Sequence, residues 1–170
     1  MSRSRFARTL EIFTDGATQC NGQPNAKGGW GIVCPFDREL DRYGFSLDGQ
    51  QTNNRYELEA IHHALHTAQG MDGRIHFKIY TDSKYAIGAL TIWIHKWQNN
   101  GWKNYSKKPV KNRELIESTY ELLSEMGDYD KTVELIHVKG HQDNYWNNEA
   151  DRLARLGAEE NDILCYGYIY

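Results

Sequence analysis

Two patterns divide the chain: short runs that read as strands, and longer stretches with apolar residues at helical spacing. Residues 9–15 (Thr-Leu-Glu-Ile-Phe-Thr-Asp) predict a strand rich in Thr, Ile and Phe. A loop over 21–31, with Gly, Pro and Asn and ending in Gly28-Gly29, leads to strands over 30–35 and about 39–47, joined by a tight turn near 36–38. Strands linked this closely suggest an antiparallel meander. A helix follows, capped by Asn53 or Asn54, with Leu58, Ile61, Leu65 and Ala68 on one face and Gly70 and Gly73 bracketing its end. Residues 75–81 alternate as a strand. Short helices are predicted over 83–90 and 91–98, then a turn at Asn99-Asn100-Gly101. A longer helix over 112–126 turns Leu115, Thr119, Leu122 and Leu123 inward. The last strand is 132–138, and the last helix is 146–157 with Ala150, Leu153 and Ala154 inward.

The order βββ-α-β-ααα-β-α predicts an α/β domain with a five-stranded mixed sheet: three antiparallel strands, then two reached through helical crossovers. The 170 residues suit one domain. The expected organisation is a short basic N-terminus over 1–8, a domain over 9–160 and a C-terminal tail over 161–170. Ser2, Arg3, Ser4, Arg5 and Arg8 are too few for an organelle transit peptide and read as a solvated end. No apolar run reaches the roughly 18 residues of a membrane span, and residues 1–10 lack the apolar core of a signal peptide. Three cysteines, Cys20, Cys34 and Cys165, without a CxxC pair, argue against a disulfide framework or zinc site and for a cytoplasmic or otherwise intracellular setting.

A net charge of −3 at first argues against a nucleic-acid partner. Between Trp93 and Arg113, however, six cations and no acid give a local +6, leaving −9 on the rest. Local charge, rather than the mean, steers a polyanion. Trp93, Trp97 and Trp102 interleave with Lys96 and Lys103, followed by Lys107 and Lys108. Lysines bind phosphates and aromatic rings stack on sugars or bases. Packing of a small helical hairpin explains part of this segment equally well. The expected split puts Trp93 and Trp102 inward, with Trp97 and the lysines outward.

Candidate chemistry lies in the acids. Two strands end alike, in Thr14-Asp15-Gly16 and Thr81-Asp82-Ser83. If the strands are parallel neighbours, both carboxylates emerge at one sheet edge, where α/β proteins build their sites. Paired carboxylates repel unless a proton or cation intervenes, and Mg²⁺ prefers oxygen ligands. Glu57 sits at the edge of the buried helical stripe. Asp151 shares a helix face with Asn147, four residues earlier. Each acid alone also fits a plain cap or turn. His141, in the pliant loop Lys139-Gly140-His141, can carry protons near neutral pH but also fits a plain surface residue. His62 and His66, four apart on a helix, read as a solvated face.

Taken in order, Thr14-Asp15-Gly16, Thr52-Asn53-Asn54-Arg55-Tyr56-Glu57, Tyr80-Thr81-Asp82-Ser83, Val138-Lys139-Gly140-His141 and Asn147-Asn148-Glu149-Ala150-Asp151 closely resemble the motifs of type 1 ribonuclease H, across residues 10–158. The segment from Trp93 to Asn112 is similar to that family's basic protrusion, or handle, expected here at about 91–113, and favours the cellular subtype. The resemblance implies a ribonuclease H-like fold and a nuclease that cuts the RNA strand of an RNA–DNA hybrid, as a monomer without a membrane partner. It implies Asp15, Glu57, Asp82 and Asp151 as ligands of two Mg²⁺ ions, with Mn²⁺ as a substitute. His141 would aid product release or proton transfer, and Asn147 would support Asp151 from behind. Asn21, Asn53 and Asn54 would touch the hybrid, Thr52 and Asn112 a DNA phosphate, Tyr85 and Trp97 the DNA channel, and Lys103, Lys107 and Lys108 phosphates along the handle. The chain departs from the family in its longer loop after Asp15 and in Gln50, which stands where some relatives carry an arginine. A resolvase- or integrase-like nuclease of the same sheet architecture, and a hybrid-binding module without catalysis, are the alternatives.

Overall fold

The computed structural model describes residues 8–140 and 143–167, with side chains as far as Leu164. Five strands form one sheet in the order β3-β2-β1-β4-β5: β1 Arg8–Gln19, β2 Lys27–Val33, β3 Arg42–Gly44, β4 Ile75–Thr81 and β5 Lys131–His137. The first three pair antiparallel, whereas β4 joins β1, and β5 joins β4, in parallel. This is the mixed sheet the sequence predicts.

Each sheet face is covered by a different set of helices. On one side, α1 (Asn53–Gln69) presents Leu58, Ile61 and Leu65, all fully buried, to Ile12, Ile32, Phe77 and Ile79. Burial of one such side chain contributes about 1.5–3 kcal/mol. Ala60, Ala64 and Ala68 keep the helix close to the sheet, and α4 (Arg113–Glu125) packs behind it through Ile116. On the other side, α5 (Tyr145–Gly167) lies across β1 and β2, with Ala150 and Leu153 against Phe13 and Val33. Gly31 makes this approach possible: a β-carbon there would stand 2.5 Å from the Ala150 carbonyl oxygen.

The edges of several elements differ from the sequence reading. β1 does not end at Asp15 but continues to Gln19, because β2 pairs with it from Gln19↔Lys27 onward. Gly28 and Gly29 are therefore strand residues. β3 keeps only three of the nine residues expected at 39–47, since Arg38–Leu40 curl into a 3₁₀ turn capped by the Asp37 carboxylate, which accepts from the Glu39 N–H at 3.1 Å. The cap of α1 is Thr52, not Asn53 or Asn54; its hydroxyl accepts from the Arg55 N–H, an interaction worth about 1 kcal/mol. α5 runs ten residues past the expected end at 157, taking residues 161–167 of the expected tail into the helix.

Helices α2 (Lys84–Gly88) and α3 (Ile94–Asn99) join through a π-helical turn at Ala89–Trp93. That wider turn rotates the following side chains. Trp93 is consequently 40% exposed, while Trp97 is half-buried against the core, the reverse of the expected split; Trp102 is buried as predicted. His62 is likewise half-buried rather than on a solvated face, held by Thr119 of α4.

Candidate active site

Asp15 lies within β1 just beyond the stretch that pairs with β4, and Asp82 stands one residue past the end of β4. The register Phe13↔Tyr80 puts them level, at the same sheet edge. Glu57 joins them from the second turn of α1. Gly16 has no side chain to hold α1 away, and a β-carbon there would collide with the Glu57 backbone nitrogen. One carboxylate oxygen each from Asp15, Glu57 and Asp82 lies within 4.8 Å of the others.

Asp151 comes from α5 on the opposite sheet face. It lines the same cleft of about 350 Å³ as the other three acids, with its carboxylate paired to Arg155 at 3.0 Å. The four predicted acids thus share one cleft, three of them in direct cluster and the fourth on its wall.

Electrostatics mark the cluster as incomplete by itself. Asp15 is only 6% exposed. Its pKa is pushed up to about 9, first by burial and then by Asp82, Asp151 and Glu57, with only the Gly16 N–H, at 2.9 Å, opposing. Burial and Asp82 raise Glu57 to about 7, against a hydrogen bond with Ser83. Carboxyl groups held this way retain a proton or take a cation. Their oxygens suit a hard divalent ion, which displaces the proton on binding.

A second cleft, of about 610 Å³, adjoins the first and shares Asn53 and Glu57 with it. Seven residues singled out for nucleic acid meet here: Asn21, Thr52, Asn53, Asn54, Tyr85, Trp97 and Asn112. The Asn21 Oδ1 accepts from the Asn53 N–H at 3.3 Å, and Asn112 Nδ2 donates to the Tyr85 hydroxyl at 3.3 Å. Lys103, Lys107 and Lys108 are exposed on the handle outside this cleft. The handle is closed by the Lys103–Pro109 bridge and by the Asn104 N–H bonded to the Lys108 carbonyl at 2.8 Å.

His141 lies outside the described residues, though Gly140 before it abuts the Asp82 carboxylate. Asn147 is buried in the first turn of α5; its N–H donates to Asn144 Oδ1, and its own Oδ1 has no partner among the described residues. It lines neither cleft. Sequence patterns do not single out Lys111 and Asn104, which line the larger cleft, or Ser83, which caps α2 and bonds Glu57. Arg155 could have been found, since it stands four residues after Asp151 and so on its helix face. No sequence signal reveals Asn161: its buried Nδ2 donates to Gly28 O and Gln51 Oε1, both at 2.9 Å, and to the Tyr56 hydroxyl at 3.3 Å.

Comparison with known proteins gives a consistent picture. The RNase H family model matches residues 7–159. A ribonuclease H of Dechloromonas aromatica is 42% identical over 155 residues, spanning 89% of this chain and 95% of that protein. A ribonuclease H of Schizosaccharomyces pombe is 39% identical across 88% of this chain and 53% of its own length. Among solved structures, LC9-RNase H1, a type 1 enzyme, aligns with TM-score 0.73 at 24% identity over 90% of this chain and 73% of that one. The PFV RNase H domain aligns with TM-score 0.62 at 27% identity, over 89% and 94%.

Proposed function

The chain belongs to the ribonuclease H family, and we propose that Asp15, Glu57, Asp82 and Asp151 hold the divalent ions with which it cuts the RNA strand of RNA–DNA hybrids. It is a metal-dependent endonuclease. The observation that carries the residue assignment is the three-acid cluster on a cleft continuous with the asparagine-lined groove. A buried Asp15 that resists ionisation alone fits an ion-binding role better than a structural one.

Two Mg²⁺ ions bound here, or Mn²⁺ in their place, would activate a water and stabilise the leaving 3′-oxygen, giving 5′-phosphate and 3′-hydroxyl ends. The chain's own residues supply everything around that step. Asp15 is fixed through the Gly16 N–H, Glu57 through Ser83, and Asp82 against Gly140. Asp151, paired with Arg155 at 3.0 Å, would be the fourth carboxylate to hold the ions. His141, the residue after Gly140 in the sequence, would carry a proton in this reaction, and Asn147, four residues before Asp151 on α5, would steady the helix turn that bears it.

Strand discrimination rests on the larger cleft. Asn53, Asn54 and Asn21 offer both donors and acceptors, as a ribose 2′-hydroxyl requires. With its Oδ1 engaged by Asn53, Asn21 keeps its amide N–H groups for the hybrid. Thr52 accepts from Arg55 and keeps its hydroxyl hydrogen for a DNA phosphate, beside Asn112. Tyr85 and the half-buried Trp97 form the wall that holds the DNA strand. Lys103, Lys107 and Lys108 extend the positive track beyond it. We read the protein as a monomer inside the cell, as the family resemblance and the cysteine spacing of the sequence imply.

Digestion of a hybrid labelled on either strand tests this. Cleavage of the RNA strand alone, with Mg²⁺ and not with EDTA, is expected; equal cleavage of four-way DNA junctions would favour a resolvase, and binding without cleavage a non-catalytic module.

A further inference from the structure

His62 and His66, one turn apart on α1, lie far along the helix from Glu57 and play no part in the chemistry above. Their Nε2 atoms are 3.2 Å apart. The rings meet nearly at right angles, 77°, with centroids 4.8 Å apart. That is less than the nitrogen separation plus two ring radii, so the rings are bent toward each other and not aligned end to end. Two nitrogens bound at about 2.0–2.1 Å to one tetrahedral ion stand ~3.3 Å apart.

Neighbouring bonds fix the chemistry of His62. Thr119 Oγ1 donates its single hydrogen to the Leu115 carbonyl at 2.6 Å. Toward His62 Nδ1, at 3.0 Å, it can only accept. His62 therefore carries its proton on Nδ1, and its Nε2 accepts from the His66 Nε2–H at 3.2 Å, a hydrogen that a bound ion replaces when His66 shifts its proton to Nδ1. A histidine that ligates through one nitrogen while the other donates to a fixed acceptor is the usual arrangement around a metal. Burial also lowers the pKa of His62, which keeps it in the neutral form a ligand needs. His63 is not available: it stacks on Trp30 at 3.8 Å. His66 is exposed, so water can complete the coordination.

We propose that His62 and His66 form a second metal site, for a borderline-soft divalent ion such as Zn²⁺, chemically distinct from the all-carboxylate centre. Imidazole nitrogen selects zinc or copper over Mg²⁺, whereas the acid cluster takes hard ions.

The test is calorimetric titration of the full chain with ZnCl₂ in saturating Mg²⁺, alongside His66→Ala and Thr119→Val. His66 is exposed, so its loss removes one surface hydrogen bond and lowers the metal-free melting temperature by no more than about 2–4 °C. The expected result is one Zn²⁺ equivalent in the wild type that disappears in His66→Ala, and about tenfold weaker binding in Thr119→Val. Retention of that equivalent in His66→Ala overturns the proposal, as does absence of zinc binding in the wild type or an affinity unmoved by Thr119→Val.

Discussion

Gly140 lies so close to Asp82 that a β-carbon on the glycine would overlap the carboxylate. The loop after β5 thus stands against a cluster acid, and only glycine leaves that acid in place. Gly140→Ala should displace Asp82. A displacement near 1 Å typically costs about 10²-fold in rate. Single-turnover cleavage should fall by that order while hybrid affinity, measured by fluorescence anisotropy, stays the same. Unchanged cleavage would show that Asp82 tolerates the shift.

Asp15 makes the metal-free protein sensitive to alkali. Its carboxyl has an ordinary pKa near 3.8 when unfolded and about 9 when folded. Between those values the folded state holds a proton the unfolded chain has released, so stability falls as pH rises from about 4 to 9. In EDTA, melting temperature should decline across this window. Asp15→Asn should flatten that decline and stabilise the metal-free protein at pH 8 by at least about 1 kcal/mol, or ~2–4 °C. The same variant should lose most of the stabilisation that Mg²⁺ gives the wild type. A wild-type melting temperature that climbs with pH in EDTA would contradict the burial-driven shift.

Asn161 ties the far end of α5 to the loop before α1. Gln51 Oε1 accepts from Asn161, from the Tyr56 hydroxyl at 2.6 Å and from the Gly28 N–H at 3.2 Å. The next residue is Thr52, which caps α1 and faces the larger cleft. Asn161→Ala should cost about 1–3 kcal/mol in stability, from the acceptors left unmet. It should also raise KM for hybrid several-fold with kcat nearly unchanged. A fall in stability without any change in KM would assign Asn161 to the core alone.

Much of this is legible in the sequence, for identifiable reasons. Strand 75–81 is bounded as predicted because its alternation is strict and turn residues flank it. The four acids are recognisable because each sits in a distinct motif, and two of them follow matching strand sequences. Other features depend on partners remote in the chain. β1 outruns Asp15 because β2 is there to pair with it. Thr52 takes the cap from Asn53 because Arg55 N–H meets its hydroxyl. The π-helical turn that exchanges Trp93 and Trp97 leaves no periodic mark, and Asn161 reaches Gly28 across 133 residues of sequence.

The handle lysines should act through charge. Replacing Lys103, Lys107 and Lys108 together with Gln should weaken hybrid binding and reduce the slope of log K against log[salt] by roughly 0.7–0.9 for each phosphate no longer neutralised. Saturated turnover should change much less. An unaltered slope would remove the handle from the binding surface.

The central claim is that the clustered carboxylates hold the ions that make cleavage possible. Asp82→Asn keeps the shape of the side chain and removes its charge, so it should be measured for hybrid affinity and single-turnover cleavage in the same buffer with Mg²⁺. Affinity close to wild type with cleavage reduced on the order of a thousandfold or more is predicted; cleavage near the wild-type rate would contradict it.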